Sequence, residues 1–524
     1  MSESNSTKLW GRAWFVFALV CIWRVALIVF TAQPIPAGDA YFYDGAVVHE
    51  LNNGQYANPS LSLVLPISGN EVFSAYPPLH QAALSVWMRL FGTAVLSAIW
   101  FQFALFLVYG LAVLAIFRLL RVDGVWANLA SLFFFAITFM DRPDTLAFGL
   151  GMWALFSWLK AGTLQQSGVL GNKWHWLGAT LAFLTTCTSL HIGALSFLWL
   201  GLLSVIGVFT VRRALPLAPV TTAVLALGAL VFLVKFHYPL LWAGFQEHVK
   251  ETPTLAGWSS VDPGGLFKGN ALKFVRTAPA LLAVAVVALA FVFRNSRQVL
   301  VTLKAPSGAL FWTGLCITAT LVAVSLGLLM QNPVHWAAYL QPLLVGVLPL
   351  ALYASGFGAG PQRSYRILCY VLAIVAGARA LGMSTWGFAC AADVTQSKAN
   401  RIVAEALDRT PAGSAVLVSA AFLYEADRYK SLEAYHADWV APFRRKRKTA
   451  DCIIALKPAR MVLTQFDYYR GCGTSLPALK SSPDLLDMRI TDYAKIRPPD
   501  AISSMQRIIQ QVSWAPVIVE LRWK

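Results

Sequence analysis

Apolar runs of membrane-spanning length recur along the first three-quarters of the chain, separated by short polar connections. Crossing a hydrocarbon core takes roughly 20 apolar residues, and in lipid each such run has to close its own amide hydrogen bonds as a helix. The pattern predicts spans at 12–32, 93–117, 124–141, 143–160, 176–190, 191–211, 215–238, 277–293, 307–330, 336–356 and 365–388. From Ala391 the pattern changes, charged residues become common, and no later stretch is long enough to span. There Lys398–Arg409 has helical spacing, while Ala415–Ser419, Ile453–Leu456 and Pro516–Leu521 read as strands. The expected fold class is an all-α polytopic membrane protein of about eleven transmembrane helices over 1–390. A small soluble α/β domain follows over 391–524.

The basic residues orient this scheme. With the N-terminus inside, the cytoplasmic connections collect Arg118/Arg121, Lys160/Lys173, Arg212/Arg213, Arg294/Arg297/Lys304 and Arg363/Arg366, as the positive-inside bias requires. The alternation closes only if Pro77–Gly92 does not span. At about 16 residues it is short for a crossing and is expected to lie along the outer surface within the outer loop 33–92. Eleven spans then leave the C-terminal domain outside, on the periplasmic or lumenal face.

Composition agrees: 57% of the 524 residues are hydrophobic and 13% charged, with a mean hydropathy of +0.59. That leaves too little polar surface for a soluble protein of this length. The net charge of +17 belongs to cytoplasmic anchoring rather than to nucleic acid. Trp10–Thr31 is too long for a signal peptide and lacks a small-residue cleavage site, so a retained first helix is expected. The seven cysteines show no metal-ligand spacing, and only Cys452 and Cys472 are placed for a disulfide.

Carboxylates are scarce in the membrane half, so their positions are informative. Gly38-Asp39-Ala40-Tyr41-Phe42-Tyr43-Asp44 follows the first span, and Asp141-Arg142-Pro143-Asp144 sits at an outer hinge between two spans. On spacing alone Asp39 reads as a solvated loop carboxylate. Asp144 reads equally as a first-turn residue that suits the helix dipole. Arg24, inside the first span, is either an internal ion pair, a snorkelling side chain or a phosphate ligand. The loop 239–276, with Glu247, His248 and Trp258, is either a binding surface or a solvated connection, and Arg444–Lys448 reads as a solvated basic run.

Asp39-Ala40-Tyr41-Phe42-Tyr43, then Tyr76-Pro77-Pro78-Leu79 opening a segment that ends Leu90-Phe91-Gly92, then Arg142-Pro143-Asp144-Thr145-Leu146-Ala147, resembles the GT-C glycosyltransferases. The branch it resembles is that of the protein O-mannosyltransferases and lipid A aminoarabinose transferases. The resemblance implies an inverting enzyme that takes its sugar from a polyprenyl-phosphate carrier. Asp39 then matches the catalytic base, with Asp144 the second catalytic carboxylate. Arg142, His335, Arg24 and Tyr339 are candidates for the donor phosphate, and Tyr41, Tyr43, Asp44, Tyr76 and His80 for substrate contacts. Inversion needs one base on the acceptor hydroxyl, and a phosphate leaves without a general acid, given cations where charge develops. Many relatives carry Glu or Lys immediately before the surface-helix proline; this chain has Ser74-Ala75-Tyr76. A divalent cation is therefore neither required nor excluded. The implied partners are the lipid-linked donor, membrane lipid and an acceptor glycan, lipid or protein. The expected location is the bacterial inner membrane. The alternative is a transporter or lipid-linked sugar flippase, which would favour repeated halves and polar sites near the midplane. Here the polar residues gather at outer helix ends.

Overall fold

An apolar segment that must satisfy its own amides forms helix α1 (Glu3–Thr31), of which Ala13–Thr31 is apolar enough to cross a membrane. Phe15, Ile22, Val29 and Phe30 on it remain largely exposed, a surface that lipid covers without cost. The helix ends where Ala32 turns left-handed, at φ 51°, just before Pro34 and Pro36, which cannot continue a helix. The computed structural model describes residues 3–36, 38–119, 143–166, 172–190, 218–251, 381–440, 449–496 and 510–524, with isolated positions at 192–200 and 378. The chain forms two compact units. One comprises Met1–Trp23, Ala104–Phe232 and Gly257–Ala380; the other comprises Arg24–Phe103, Leu233–Ala256 and Leu381–Lys524.

Among its described residues the first unit is helical. α5 (Val95–Leu119) runs into it, and α6 (Pro143–Gln166) and α7 (Asn172–Thr186) pair within it. Close approach is set by small residues: a methyl group on Gly178 would meet the Ala154 carbonyl and the Trp158 ring, each at 3.1 Å. The Trp153 indole donates to the Val108 carbonyl at 3.1 Å and joins α6 to α5. α8 (Ala218–His237) is the third described helix, with Ala13–Thr31 and Val95–Leu119, long and apolar enough to cross a membrane. The expected spans 124–141, 277–293, 307–330 and 336–356, nearly all of 191–211 and most of 365–388 lie outside the described residues.

The second unit joins the loop after α1 to the C-terminal domain. α2 (Gly38–Asn53), the five-residue α3 (Pro66–Asn70) and α4 (Leu79–Phe91) come from the loop. α9 (Pro239–Glu251) follows α8 directly. The stretch expected as an irregular connection from 239 thus begins as a helix, because Pro239 occupies a first-turn position where its missing N–H costs nothing.

The C-terminal domain has α10 (Gln396–Asp408), β1 (Ala415–Val418), α11 (Ala420–Ala426), β2 (Glu433–His436), α12 (Thr449–Leu456), β3 (Arg460–Leu463), α13 (Gln465–Arg470), α14 (Leu476–Lys480), β4 (Leu485–Asp492) and β5 (Val517–Trp523). The sheet order is β2-β1-β3-β5-β4, with β2, β1 and β3 parallel and β5 antiparallel to both β3 and β4. Leu417, Met461, Leu463, Val517 and Val519 form its buried core with Ile453 and Leu479. The expected helix at Lys398–Arg409 and strands at Ala415–Ser419 and Pro516–Leu521 are present within a residue or two. Ile453–Leu456 is instead the last turn of α12; a short apolar run fits a buried helix face as well as a strand. Cys472 carries a free, buried thiol, so the expected disulfide with Cys452 is not formed.

Candidate active site around helix α2

α2 begins only a few residues after the first apolar helix ends, and its opening residues Gly38 and Asp39 place a carboxylate-bearing position in the first turn, where negative charge suits the dipole. The side chain of Asp39 lies outside the described residues; its backbone belongs to α2. The rest of the motif is buried. Phe42 and Tyr43 enter an apolar cluster with Ala46, Leu61, Val64, Leu65 and Phe73. Asn58 binds across Gly45, donating to the Tyr41 carbonyl at 2.9 Å and the Phe42 carbonyl at 3.2 Å. A side chain at position 45 would collide with Asn58, so glycine is required there for the loop to approach the helix.

Tyr43 and Tyr76 meet edge to face at 4.9 Å between ring centroids. His248 of α9 lies 5.5 Å from the Phe42 ring and 6.1 Å from Tyr76. One residue earlier, the Glu247 carboxylate accepts from the Ile67 amide at 3.2 Å and the Ser68 amide at 3.3 Å, which caps the start of α3. The loop after α1 and α9 thus form an aromatic wall that the sequence pattern only partly anticipates.

The polar candidates make a second group. Asp44 is fully buried; one oxygen accepts from the Tyr424 hydroxyl at 2.9 Å, and the other lies 3.5 Å from His80 Nε2. His80 is equally buried, packs edgewise on Phe101 at 5.5 Å, and its Nδ1 has no partner among the described residues. Tyr41 stacks edge to face on Tyr424 at 5.0 Å. Burial, reinforced by the charges of Asp427 and Asp44, pushes the Tyr41 phenol well above its ordinary value and keeps it a donor towards Asp427. Asp427 itself takes His49 Nδ1 at 2.7 Å, Asn52 Nδ2 at 2.9 Å and Asn53 Nδ2 at 3.2 Å. A 2.7 Å approach to a carboxylate requires the proton on His49 Nδ1.

Tyr41, Asp44 and His80 are therefore brought together, and Tyr43 and Tyr76 form a neighbouring pair. Asp144 belongs to the other unit, in the first turn of α6, where its Oδ1 accepts from Ser189 at 2.8 Å. Arg24 is half-buried two-thirds of the way along α1. Arg142, His335 and Tyr339 lie outside the described residues. Sequence reasoning missed Tyr424 and Asp427, which sit some 380 positions from α2 on a short helix without a chemical motif. Among the described residues no group of three or more His, Cys, Asp or Glu side chains could hold a metal ion.

The described elements share their fold with a solved structure. The chain is similar over 96% of its length, and over 97% of the other, to ArnT from Cupriavidus metallidurans bound to undecaprenyl phosphate, at 14% identity and a TM-score of 0.54. It is also similar to the apo oligosaccharyltransferase of Archaeoglobus fulgidus, at 11% identity and a TM-score of 0.49, over 90% of this chain and 73% of that one. No family model and no curated protein matches the sequence.

Proposed function

We propose that this protein transfers a sugar, hexosyl or pentosyl, from a polyprenyl-phosphate carrier to an acceptor hydroxyl at the outer face of a bacterial inner membrane, with inversion. The observation that carries the reading is the end-to-end fold correspondence with an undecaprenyl-phosphate-bound transferase. The placement of Asp39 in the first turn of the helix after the first apolar span supports it. About eleven spans, a cytoplasmic N-terminus and a periplasmic C-terminal domain complete the arrangement.

In this reading Asp39 takes the proton of the acceptor hydroxyl as the new glycosidic bond forms at the anomeric carbon. The sugar–phosphate bond breaks on the opposite face, and the pair of electrons leaves with the carrier phosphate. A positioned carboxylate supplies about 10²–10⁴-fold. Arg142, His335, Arg24 and Tyr339 hold the phosphate where charge develops, and Asp144 is the second carboxylate. Tyr43 and Tyr76 contact the substrate, and Tyr41, Asp44 and His80 shape α2 beside it.

The test is sugar transfer by the purified full-length chain, in lipid nanodiscs, from a panel of radiolabelled polyprenyl-phosphate sugars, beside Asp39→Asn. Transfer by the wild type that falls at least about 100-fold in a folded Asp39→Asn is the expected result. Unchanged turnover in the variant removes Asp39 from the mechanism. No turnover with any donor overturns the reading and returns weight to a transporter.

A further inference from the structure

We propose that Asp427 and Tyr424 of the C-terminal domain are positioning residues for the transfer reaction: they fix the rotation and tilt of α2, and so the backbone of Asp39. The inference rests on the function proposed above and assigns the C-terminal domain a part in it.

One side of α2 is held by apolar contacts of Phe42, Tyr43 and Ala46 with the loop. Apolar packing is non-directional and leaves a helix some freedom to roll and slide. Hydrogen bonds to carboxylates do not, because they fix both distance and direction. Two carboxylates cross the junction between α2 and α11 in opposite senses. Asp427, just past α11, receives donors from His49, Asn52 and Asn53. A carboxylate offers about four acceptor sites, so α2 alone fills most of them. Asp44 projects the other way and receives the Tyr424 hydroxyl. Residues 41, 44, 49, 52 and 53 extend along about three turns of α2, roughly 18 Å. Ties spread over that length resist both tilt and rotation.

The tie through Asp44 is dry, and those to Asp427 are part-buried. Asp44 is 0% and Tyr424 2% exposed, and the Asp427 side chain is 9% exposed. Water therefore cannot readily replace a lost partner. α11 is buried along almost its whole length, packed against α2, α10 and the sheet. A displaced α2 shifts the carboxylate position it carries, and a misplacement of about 1 Å in a reacting group costs on the order of 10²-fold in rate.

The experiment compares wild type, Asp427→Ala, Tyr424→Phe and the exchange Asp427→Asn with Asn52→Asp, each as the full chain in nanodiscs. Asp427→Ala is expected to lower kcat about 10–100-fold while the donor KM stays within about threefold. Amide exchange over 38–53 should quicken about tenfold or more, with β1 and β3 unchanged. Tyr424→Phe keeps the ring on Tyr41 and loses only the bond to Asp44, so a fall of about 3–10-fold is expected. The exchange variant returns a carboxylate to the junction from the α2 side and should recover most of kcat. An unchanged kcat in Asp427→Ala despite faster exchange in α2 overturns the positioning role. So does a loss of protection that extends through β1 and β3 with kcat and KM changing together, which is plain unfolding. If the wild type transfers no sugar from any donor, the function reading fails and the positioning role falls with it, whereas the exchange data still report whether Asp427 holds α2.

Discussion

Helix α4 divides cleanly into two stripes. His80, Gln81, Leu84 and Met88 are buried, whereas Val86, Leu90 and Phe91 are 62%, 72% and 62% exposed. Burying a whole Val, Leu or Phe side chain contributes about 1.5–3 kcal/mol. With roughly two-thirds of each still open, lipid contact adds ~1–2 kcal/mol per residue, or ~3–6 kcal/mol for the stripe. A 13-residue helix with that face is expected to bind along an interface rather than thread through it. Nitroxide labels at Val86→Cys, Leu90→Cys and Phe91→Cys, measured in nanodiscs, should be relaxed by oxygen more than by a water-soluble nickel chelate. A label at Glu71→Cys, exposed on the loop, should show the reverse. Replacing Leu90 and Phe91 together by Asp forfeits ~2–4 kcal/mol of that contact, and the Val86 label should then move towards nickel accessibility. Native labels on the stripe that favour nickel would refute the interfacial placement. The inside–outside alternation depends on Pro77–Gly92 not crossing, so it would then have to be redrawn.

Two further outcomes follow from single contacts. Glu247→Ala removes the acceptor of the Ile67 and Ser68 amides; exchange at those two amides should quicken about tenfold, a cost of ~1–2 kcal/mol, and unchanged exchange would count against the cap. Burial, followed by the charges of Asp438 and Asp467, pushes the Cys472 thiol well above its ordinary 9.0. It should resist maleimide at pH 8 in the folded chain and react once urea exposes it, as read by peptide mapping. Its share of stability is complete below the ordinary value and is lost as pH rises through the raised one; rapid labelling of the native chain would contradict this.

How far the sequence revealed the structure depended on the kind of interaction involved. α1, α5 and α8 follow from apolar length alone. α4 was readable as a segment too short to span, whereas its two stripes emerge only from the structure. In the C-terminal domain α10 was legible because its apolar positions repeat at helical spacing, and β5 because an apolar run stands between polar stretches. β2 was not, since Glu433–His436 is a four-residue edge strand with polar residues at both ends and no alternation to read, and β3, as short as β1, was missed as well. The acidic-aromatic motif pointed to α2, but its partners Tyr424 and Asp427 were invisible. They make contact through tertiary folding across some 380 positions, and a lone Tyr and Asp at a helix end announce nothing by spacing.

The same long-range economy governs the approach to Asp39. At the end of α1 the Trp514 indole donates to the Thr31 carbonyl at 3.0 Å, and the Gln33 amide donates to the Val512 carbonyl at 2.7 Å. Thr31 lies in the last turn of α1, where carbonyls lack intrahelical partners, so Trp514 supplies an acceptor's missing donor in a buried place. The short connection from Gln33 to Gly38 is thus fixed at its start by the C-terminal segment, and the helix it leads into is fixed by Tyr424 and Asp427. Ala32 holds a left-handed conformation that costs a non-glycine residue about 1 kcal/mol, and such a conformation persists where its surroundings over-determine it. Asp39 stands between these two sets of ties, both made by residues beyond position 420. A solvated loop carboxylate would need neither. In the role proposed for Asp39, a carboxylate that must meet one hydroxyl at one angle needs both, and the last hundred residues supply them by folding back onto the end of the first helix.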